Sequence, residues 1–354
     1  MTLQGLVDAT RLVIVVGPGG VGKTTSAAAM GLAAARRGRH VCLVTVDPAR
    51  RLADTLGGGE LGAAPTPVTL PDHAVRGGSL AAMMLDPAIT FDQLIALHAP
   101  AERVDTILQN RFYRQLATSL PGIHDYMAIE QLRLLYEDDR FDLVVVDTPP
   151  ASNLLDLVDA PERLARFMGN RLYRSLASTG RRRLASGPGR LLLQRISEVV
   201  GASVLQDALG FFTATAGMEK GFVARASAVR RLLTEPHTAT ISVVTPRPDR
   251  VQSTLDLVTA LGERGIGVRA TIANQLTFDP WEDLVPWRTM FQRSNDLALR
   301  RDALADRHQR GLAEAEILRP LADHGMPVVP LQRRTGEIND IGTLTRVGDA
   351  LLEG

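Results

Sequence analysis

The sequence predicts a doubly wound α/β fold with a mostly parallel sheet. Six short apolar runs rich in β-branched residues recur along its 354 residues, and long stretches of helical character separate several of them. A glycine-rich turn between the first run and the first helical stretch marks the end of the sheet where such folds bind ligands.

The runs are "LVIVV" (12–16), "VCLVTV" (41–46), "LVVV" (143–146), "ATISVVT" (239–245), "VRATIA" (268–273) and "MPVVPL" (326–331). Unbroken apolarity, rather than alternation, is the pattern of strands covered on both faces. "SAAAMGLAAARR" and "RVQSTLDLVTALGERG" read as helices, the second closing on Gly265. Between Thr148 and Thr238 no strand signal appears, although a crossover needs only about a dozen residues. The surplus, roughly 155–235, is therefore expected to form a helical subdomain within a single domain spanning 1–354. Inside it "GRRRLASGPGR" (180–190) reads as an exposed loop, its arginines either a solvated face or a contact for an acidic partner.

Charge and cysteine usage exclude several classes. With 40 basic and 39 acidic residues the net charge is +1, so no global field recruits nucleic acid or anionic lipid, and no nucleic-acid partner is expected. Lysine occurs only at Lys23 and Lys220, every other basic residue being arginine, so a lysine inside a glycine loop stands out. The single cysteine, Cys42, excludes an intrachain disulfide and an all-cysteine metal site, and reads as a small buried apolar residue. The seven histidines show no metal spacing. The start "MTLQGLVDATRL" has neither a basic end nor an apolar core, and no run reaches the roughly 18 apolar residues of a membrane span, so a soluble cytoplasmic protein is expected.

"GPGGVGKTT" (17–25) fits two patterns. Gly17, Gly19 and Gly22 satisfy G-x-G-x-x-G, and Asp47 ends the next strand near where a dinucleotide fold places its ribose-binding acid, which keeps an oxidoreductase open. The same loop satisfies G-x-x-x-x-G-K-[ST] through Gly17, Gly22, Lys23 and Thr24. Backbone amides and a helix dipole suffice for a dinucleotide's diphosphate, whereas a β,γ-phosphate with its magnesium calls for a cation and a hydroxyl. Lys23 and Thr24 supply both, and "LVVVDTPP" offers Asp147 at the end of another strand to support a magnesium water. The balance favours a nucleoside triphosphate with Mg2+. The amides of Gly19, Gly20, Val21, Gly22 and Lys23 form the expected phosphate cradle; Pro18 has no N–H to add to it.

"GPGGVGKTT", "VDPARRLADTLG", "PGIHDYMAIEQL", "VVVDTPPASNLLDLV", "IANQL" and "VVPLQRRTGEINDIGTL" follow one another in an order and spacing that resembles the ArsA-type ATPases, P-loop NTPases of the deviant Walker A class. That family includes arsenite-pump ATPases and ATPases that deliver tail-anchored membrane proteins. The resemblance covers most of the chain and is weakest from about 160 to 235. It implies ATP and Mg2+ as ligands, with Lys23 on the β- and γ-phosphates, Thr24 ligating magnesium and Thr25 touching the α-phosphate. It implies that Asp47 orients or deprotonates the attacking water, that Asp147 supports magnesium, and that Asn274 reads the adenine edge while Pro330 and Leu331 pack on the ring. A helix cap for Asp47 and a plain turn role for Asn274 are the structural alternatives.

Departures from the family pattern are informative. Family loops usually read G-K-G-G-V-G-K-T, the first lysine reaching into a dimer partner's site; Pro18 stands here instead. Losing one preorganised charge costs about 10²- to 10³-fold in rate, so either an arginine such as Arg50 or Arg51 substitutes, or a paralogous ATPase carries the lysine in a heterodimer. Pro149 and Pro150 lack amide hydrogens, leaving γ-phosphate sensing to Ala151 or beyond, and Ser152 and Asn153 stand where relatives tend to read T-G-H after the second proline. Without C-x-x-C no zinc clasp is expected, and neither metalloid-binding nor cluster-binding cysteines are present.

The leading expectation is an ATP-switched dimer, homodimeric or heterodimeric, that acts on a client or membrane partner left unidentified. The alternative is a poorly hydrolysing regulatory subunit. Met168, Leu172, Leu176, Leu205, Leu209, Phe211, Phe212 and Met218 are available for a client groove or for core packing. "RVGDALLEG" is too short and too acidic for a membrane-binding helix.

Overall fold

A computed structural model describes residues 2–46, 51–70, 76–119, 123–169, 206–207, 210–211, 219–277, 298–334, 338 and 340–352. In chain order the elements are α1 (Leu3–Asp8), β1 (Leu12–Val16), α2 (Lys23–Arg36), β2 (His40–Thr45), α3 (Arg51–Thr55), β3 (Thr66–Pro67) and β4 (Ser79–Met84). Then come α4 (Pro87–His98), α5 (Ala101–Leu108), α6 (Arg111–Ser119), α7 (Ile123–Tyr136), β5 (Leu143–Asp147), α8 (Ala151–Gly169) and α9 (Glu219–Thr234). The chain continues through β6 (Thr238–Val244), α10 (Pro248–Gly262), β7 (Val268–Leu276), α11 (Ala298–Asp323), β8 (Val328–Gln332) and α12 (Ile341–Leu352).

The eight strands form one sheet in the order β3-β4-β2-β5-β1-β6-β7-β8, parallel except where β3 meets β4. Alternate residues of the central strands point to opposite faces, which explains why β1, β5 and β6 are buried at every position. Val13, Val15, Leu43, Val145 and Ile241 pack in one cluster with the alanines of α2 and with Leu344, Val347 and Leu351 of α12. A second cluster joins Val244, Ala273 and Leu276 to Val251 of α10 and Leu318 and Leu321 of α11. The sheet is therefore clothed on both sides, and the doubly wound α/β architecture with a mostly parallel sheet is established.

Two strands at one end of the sheet went unread in the sequence. In β4, "SLAAMM" replaces β-branched residues with alanine and methionine, and β3 is a two-residue antiparallel pairing that includes Pro67. The α10 helix stops at Gly262, and Gly265 beyond it adopts φ 79° while Ile266 N–H bonds back to Leu261 O (2.9 Å).

The chain divides into two compact units: Met1–Met84, Asp138–Leu154 and Thr234–Gly354 hold the sheet, while Leu85–Glu137 and Leu155–Leu233 form the other. The described part of the second unit is helical, and its α4–α7 portion lies outside the stretch the sequence had marked as helical surplus. Its core gathers Phe91, Leu94, Tyr113, Tyr126, Ala160, Phe211 and Ala226, with the Phe91 and Tyr113 rings 4.8 Å apart. Phe211, one candidate for a client groove, is thus a core residue. Leu172, Leu176, Leu205, Leu209, Phe212, Met218, the side chain of Met168 and the 180–190 loop lie outside the described residues.

A buried carboxylate organises α7 and α9. Glu130, fully shielded from solvent, accepts from Tyr126 Oη (3.1 Å), Arg133 Nε (3.0 Å) and Arg225 Nη2. Burial, with the Glu130 charge close by, pushes the Tyr126 hydroxyl well above its usual range.

Candidate phosphate and nucleotide site

β1 sits between β5 and β6, and the chain leaves it toward β2 on one side while β6 and β7 lie on the other. This is the switch point of the sheet, where the carboxyl ends of the strands border a crevice. Gly17 begins the turn at φ 146°, and a Cβ there would come 2.3 Å from Val243 O of β6, so only glycine lets the loop leave the sheet this close to its neighbour. At Gly19 and Gly20 nothing lies within 4 Å of where a Cβ would sit. The turn ends at Gly22, whose φ of 97° makes it the left-handed N-cap of α2 and whose carbonyl accepts from Ser26 N (2.9 Å). The first-turn amides of a 14-residue helix are thereby aimed at the loop.

Lys23 is 8 % exposed, and its Nζ donates to Pro18 O (3.0 Å), so the ammonium spans the loop from its helix end to its entry. Pro18, which contributes no N–H, contributes this carbonyl. Thr24 Oγ1 donates to Asp147 Oδ2 (2.6 Å), and Thr45 Oγ1 reaches the same oxygen at 3.4 Å. The strand register explains the meeting: Asp147 pairs with Val15 of β1 and with Thr45 of β2, which brings the end of β5 beside the start of α2. A hydroxyl and a carboxylate are both hard oxygen donors of the kind magnesium takes, so the pair fits that ion.

Beside the helix end lies a cavity of about 390 Å³ bordered by Gly22, Thr25, Ser26, Asn274, Gln275 and Leu331, among others. Asn274 Nδ2 donates to Val21 O (2.7 Å), while its Oδ1 accepts from Gln275 N (2.8 Å). Gln275 has φ 62°, the only positive φ among the described non-glycine residues. Pro330 is placed differently from Leu331. It pairs with Ala273 and borders a neighbouring cavity of about 800 Å³ along β8, α1 and α12, whereas Leu331 borders both cavities.

The structure thus brings Gly19, Gly20, Val21, Gly22, Lys23, Thr24, Thr25, Asp147, Asn274 and Leu331 to one end of the sheet and sets Pro330 apart. Asp47 and Arg50 lie outside the described residues, as do the side chains of Arg51, Ala151, Ser152 and Asn153. Several cavity residues were not singled out in the sequence, Ser26, Gln275 and Arg333 among them. Ser26, whose buried Oγ makes no hydrogen bond, looks there like one more small helix residue; Gln275 and Arg333 carry no pattern beyond their proximity to Asn274 and Leu331.

A glycine loop at a helix N-terminus, a buried lysine across it and a hydroxyl–carboxylate pair at the switch point of a doubly wound sheet define a P-loop α/β protein. The profile of the Anion-transporting ATPase family matches residues 10–296, and the chain belongs to that family. It is 39% identical over 163 residues to an uncharacterized protein of Streptomyces coelicolor, covering 45% of this chain and 39% of that one. It is 28% identical over 171 residues to the ATPase get3 of Schizosaccharomyces pombe (48% and 49% covered). Against the ATPase GET3 of Malassezia globosa the identity is 24% over 292 residues (79% and 77%). The first two matches span two fifths to one half of the length of those relatives. Among the described residues no helix is long and apolar enough to cross a membrane.

Proposed function

We propose that the chain is a magnesium-dependent ATPase. The observation that carries this reading is the meeting of Thr24 and Asp147, 123 positions apart in sequence, beside the loop that Lys23 spans. On this reading the loop amides and Lys23 hold the β- and γ-phosphates, and Thr25 lies by the α-phosphate. Leu331 and the residues about Asn274 take the adenine side. Thr24 and Asp147 would hold a magnesium ion, Asp147 by way of a water, and the ion would supply charge neutralisation at the phosphates. Asp47 orients the water that displaces ADP from the γ-phosphoryl group and accepts its proton. Membership of the family, and the name ATPase carried by two of the relatives above, support the same reading.

The finer proposal is a nucleotide-switched dimer, with itself or with a paralogue, that couples ATP binding and hydrolysis to a client or partner protein in the cytoplasm. The second unit, around and beyond roughly 155–235, is proposed as the part that carries the coupling. Pro18 favours a second version in which a lysine-bearing paralogue completes the site and this chain hydrolyses poorly alone. The test is Mg-ATP turnover per mole of purified chain over a wide concentration range, for the wild type and Asp47→Asn. A rate that rises with concentration to a plateau and disappears in Asp47→Asn supports the self-dimer. ATP binding with negligible turnover at every concentration supports the paralogue version, and unchanged turnover in Asp47→Asn removes that residue from the mechanism.

A further inference from the structure

We infer that Asn274 is a positioning residue for the phosphate loop: it sets the Val21–Gly22 peptide so that the Gly22 N–H faces a phosphate. The inference deepens the nucleotide reading above and rests on it. Asn274 Nδ2 donates to Val21 O at 2.7 Å, so that carbonyl points at Asn274. A peptide unit is planar and trans, and no cis bond occurs among the described residues, so the Gly22 N–H on the other end of the same unit points the opposite way, off the face of the loop that Asn274 covers. The second plane at Gly22 is fixed as well, because Gly22 O accepts from Ser26 N at 2.9 Å. With both flanking peptides tied, the left-handed conformation of Gly22 is locked rather than merely permitted.

Two observations show that the contact is built on purpose from both sides. A Cβ at Gly22 would come 2.2 Å from Asn274 Nδ2, so the glycine is required for the amide to reach over it. The amide in turn is oriented by Gln275 N, which donates to Asn274 Oδ1 at 2.8 Å; with the oxygen so engaged, the NH2 group is the end left to face Val21. Gln275 gives that bond from a left-handed φ of 62°, a conformation non-glycine residues adopt at a cost. Asn274 also borders the 390 Å³ cavity beside Thr25 and Ser26, so one side chain touches both the space proposed for the base and the peptide proposed for the phosphate.

This role differs from reading the adenine edge, and the two are separable with a base-altered nucleotide. Equilibrium binding of Mg-ATP and Mg-ITP is measured for the wild type and Asn274→Ala, together with the unfolding temperature of each protein without ligand. The expected result is a loss of about tenfold for both nucleotides, leaving their affinity ratio as in the wild type, with the unliganded unfolding temperature little changed. Asn274→Ser, too short to reach Val21 O, is the second variant should the alanine form fail to fold, and the same result is expected of it. A loss confined to ATP, or no loss for either nucleotide, overturns the inference. So does an equal loss that tracks a large fall in the unliganded unfolding temperature, which would make Asn274 a fold residue. A wild-type chain that binds neither nucleotide overturns the nucleotide reading itself, and this inference with it.

Discussion

Lys23 in the glycine loop and Glu130 in the helical unit are both buried ionic groups, and the chain treats them in opposite ways. Glu130 is met by two arginines and a tyrosine hydroxyl drawn from α7 and α9, so its charge is compensated within the protein. Lys23 donates to the carbonyl of Pro18 at the loop's entry, and it sits at the N-terminus of a helix whose dipole has the same sign as its own charge. A charge neutralised by its own fold holds elements together. A charge at a helix end, beside a hydroxyl–carboxylate pair, suits the phosphate proposed above.

Removing each kind of charge sharpens that contrast. Glu130→Ala strands Arg225, which is 14% exposed, and leaves Arg133 only its pair with Glu137; it should cost about 3–5 kcal/mol of stability, read as a lowered denaturant midpoint. Thr24→Ala, in contrast, removes a hydroxyl from the proposed ion site and should leave that midpoint nearly unchanged. Its magnesium-supported turnover should fall about 10²- to 10³-fold. If Thr24→Ala destabilises the fold as much as Glu130→Ala does, the loop is structural and the contrast fails.

The smallest effect belongs to Asp340, an exposed carboxylate that caps α12 by accepting from Thr343 N (2.8 Å) and Thr343 Oγ1 (2.8 Å). The Thr343 N–H, and then its hydroxyl, hold the Asp340 carboxyl below its usual range. A folded pKa below the unfolded one means that the cap stabilises fully above the ordinary carboxylate value, about 3.9, and loses that contribution as pH falls through the lowered value. Asp340→Ala should therefore unfold at a slightly lower temperature than the wild type at pH 7, and the two curves should converge in acid.

The central sheet was legible in the sequence because β1, β5 and β6 are buried on both faces and so consist of runs rich in β-branched residues. β4, next to the edge, was not, since alanine and methionine carry little strand signal. Within the candidate site, Lys23, Thr24 and Asp147 were singled out by residue chemistry, because a triphosphate with magnesium demands a cation and oxygen donors, and the structure brings the three to one end of the sheet. What the sequence could not disclose were contacts set by backbone geometry: the Pro18 carbonyl under Lys23, the tie from Asn274 to Val21, and the parting of Pro330 from Leu331 across the edge strand. None of these depends on a residue type that spacing alone would flag.

Equilibrium binding of Mg-ATP to the wild type and to Lys23→Ala tests the central claim most directly. Saturable binding by the wild type that weakens at least about a hundredfold in the variant, with both proteins equally folded, is the predicted result. Equal affinity of the two proteins, or no binding by either, would contradict the assignment of this loop as a triphosphate site.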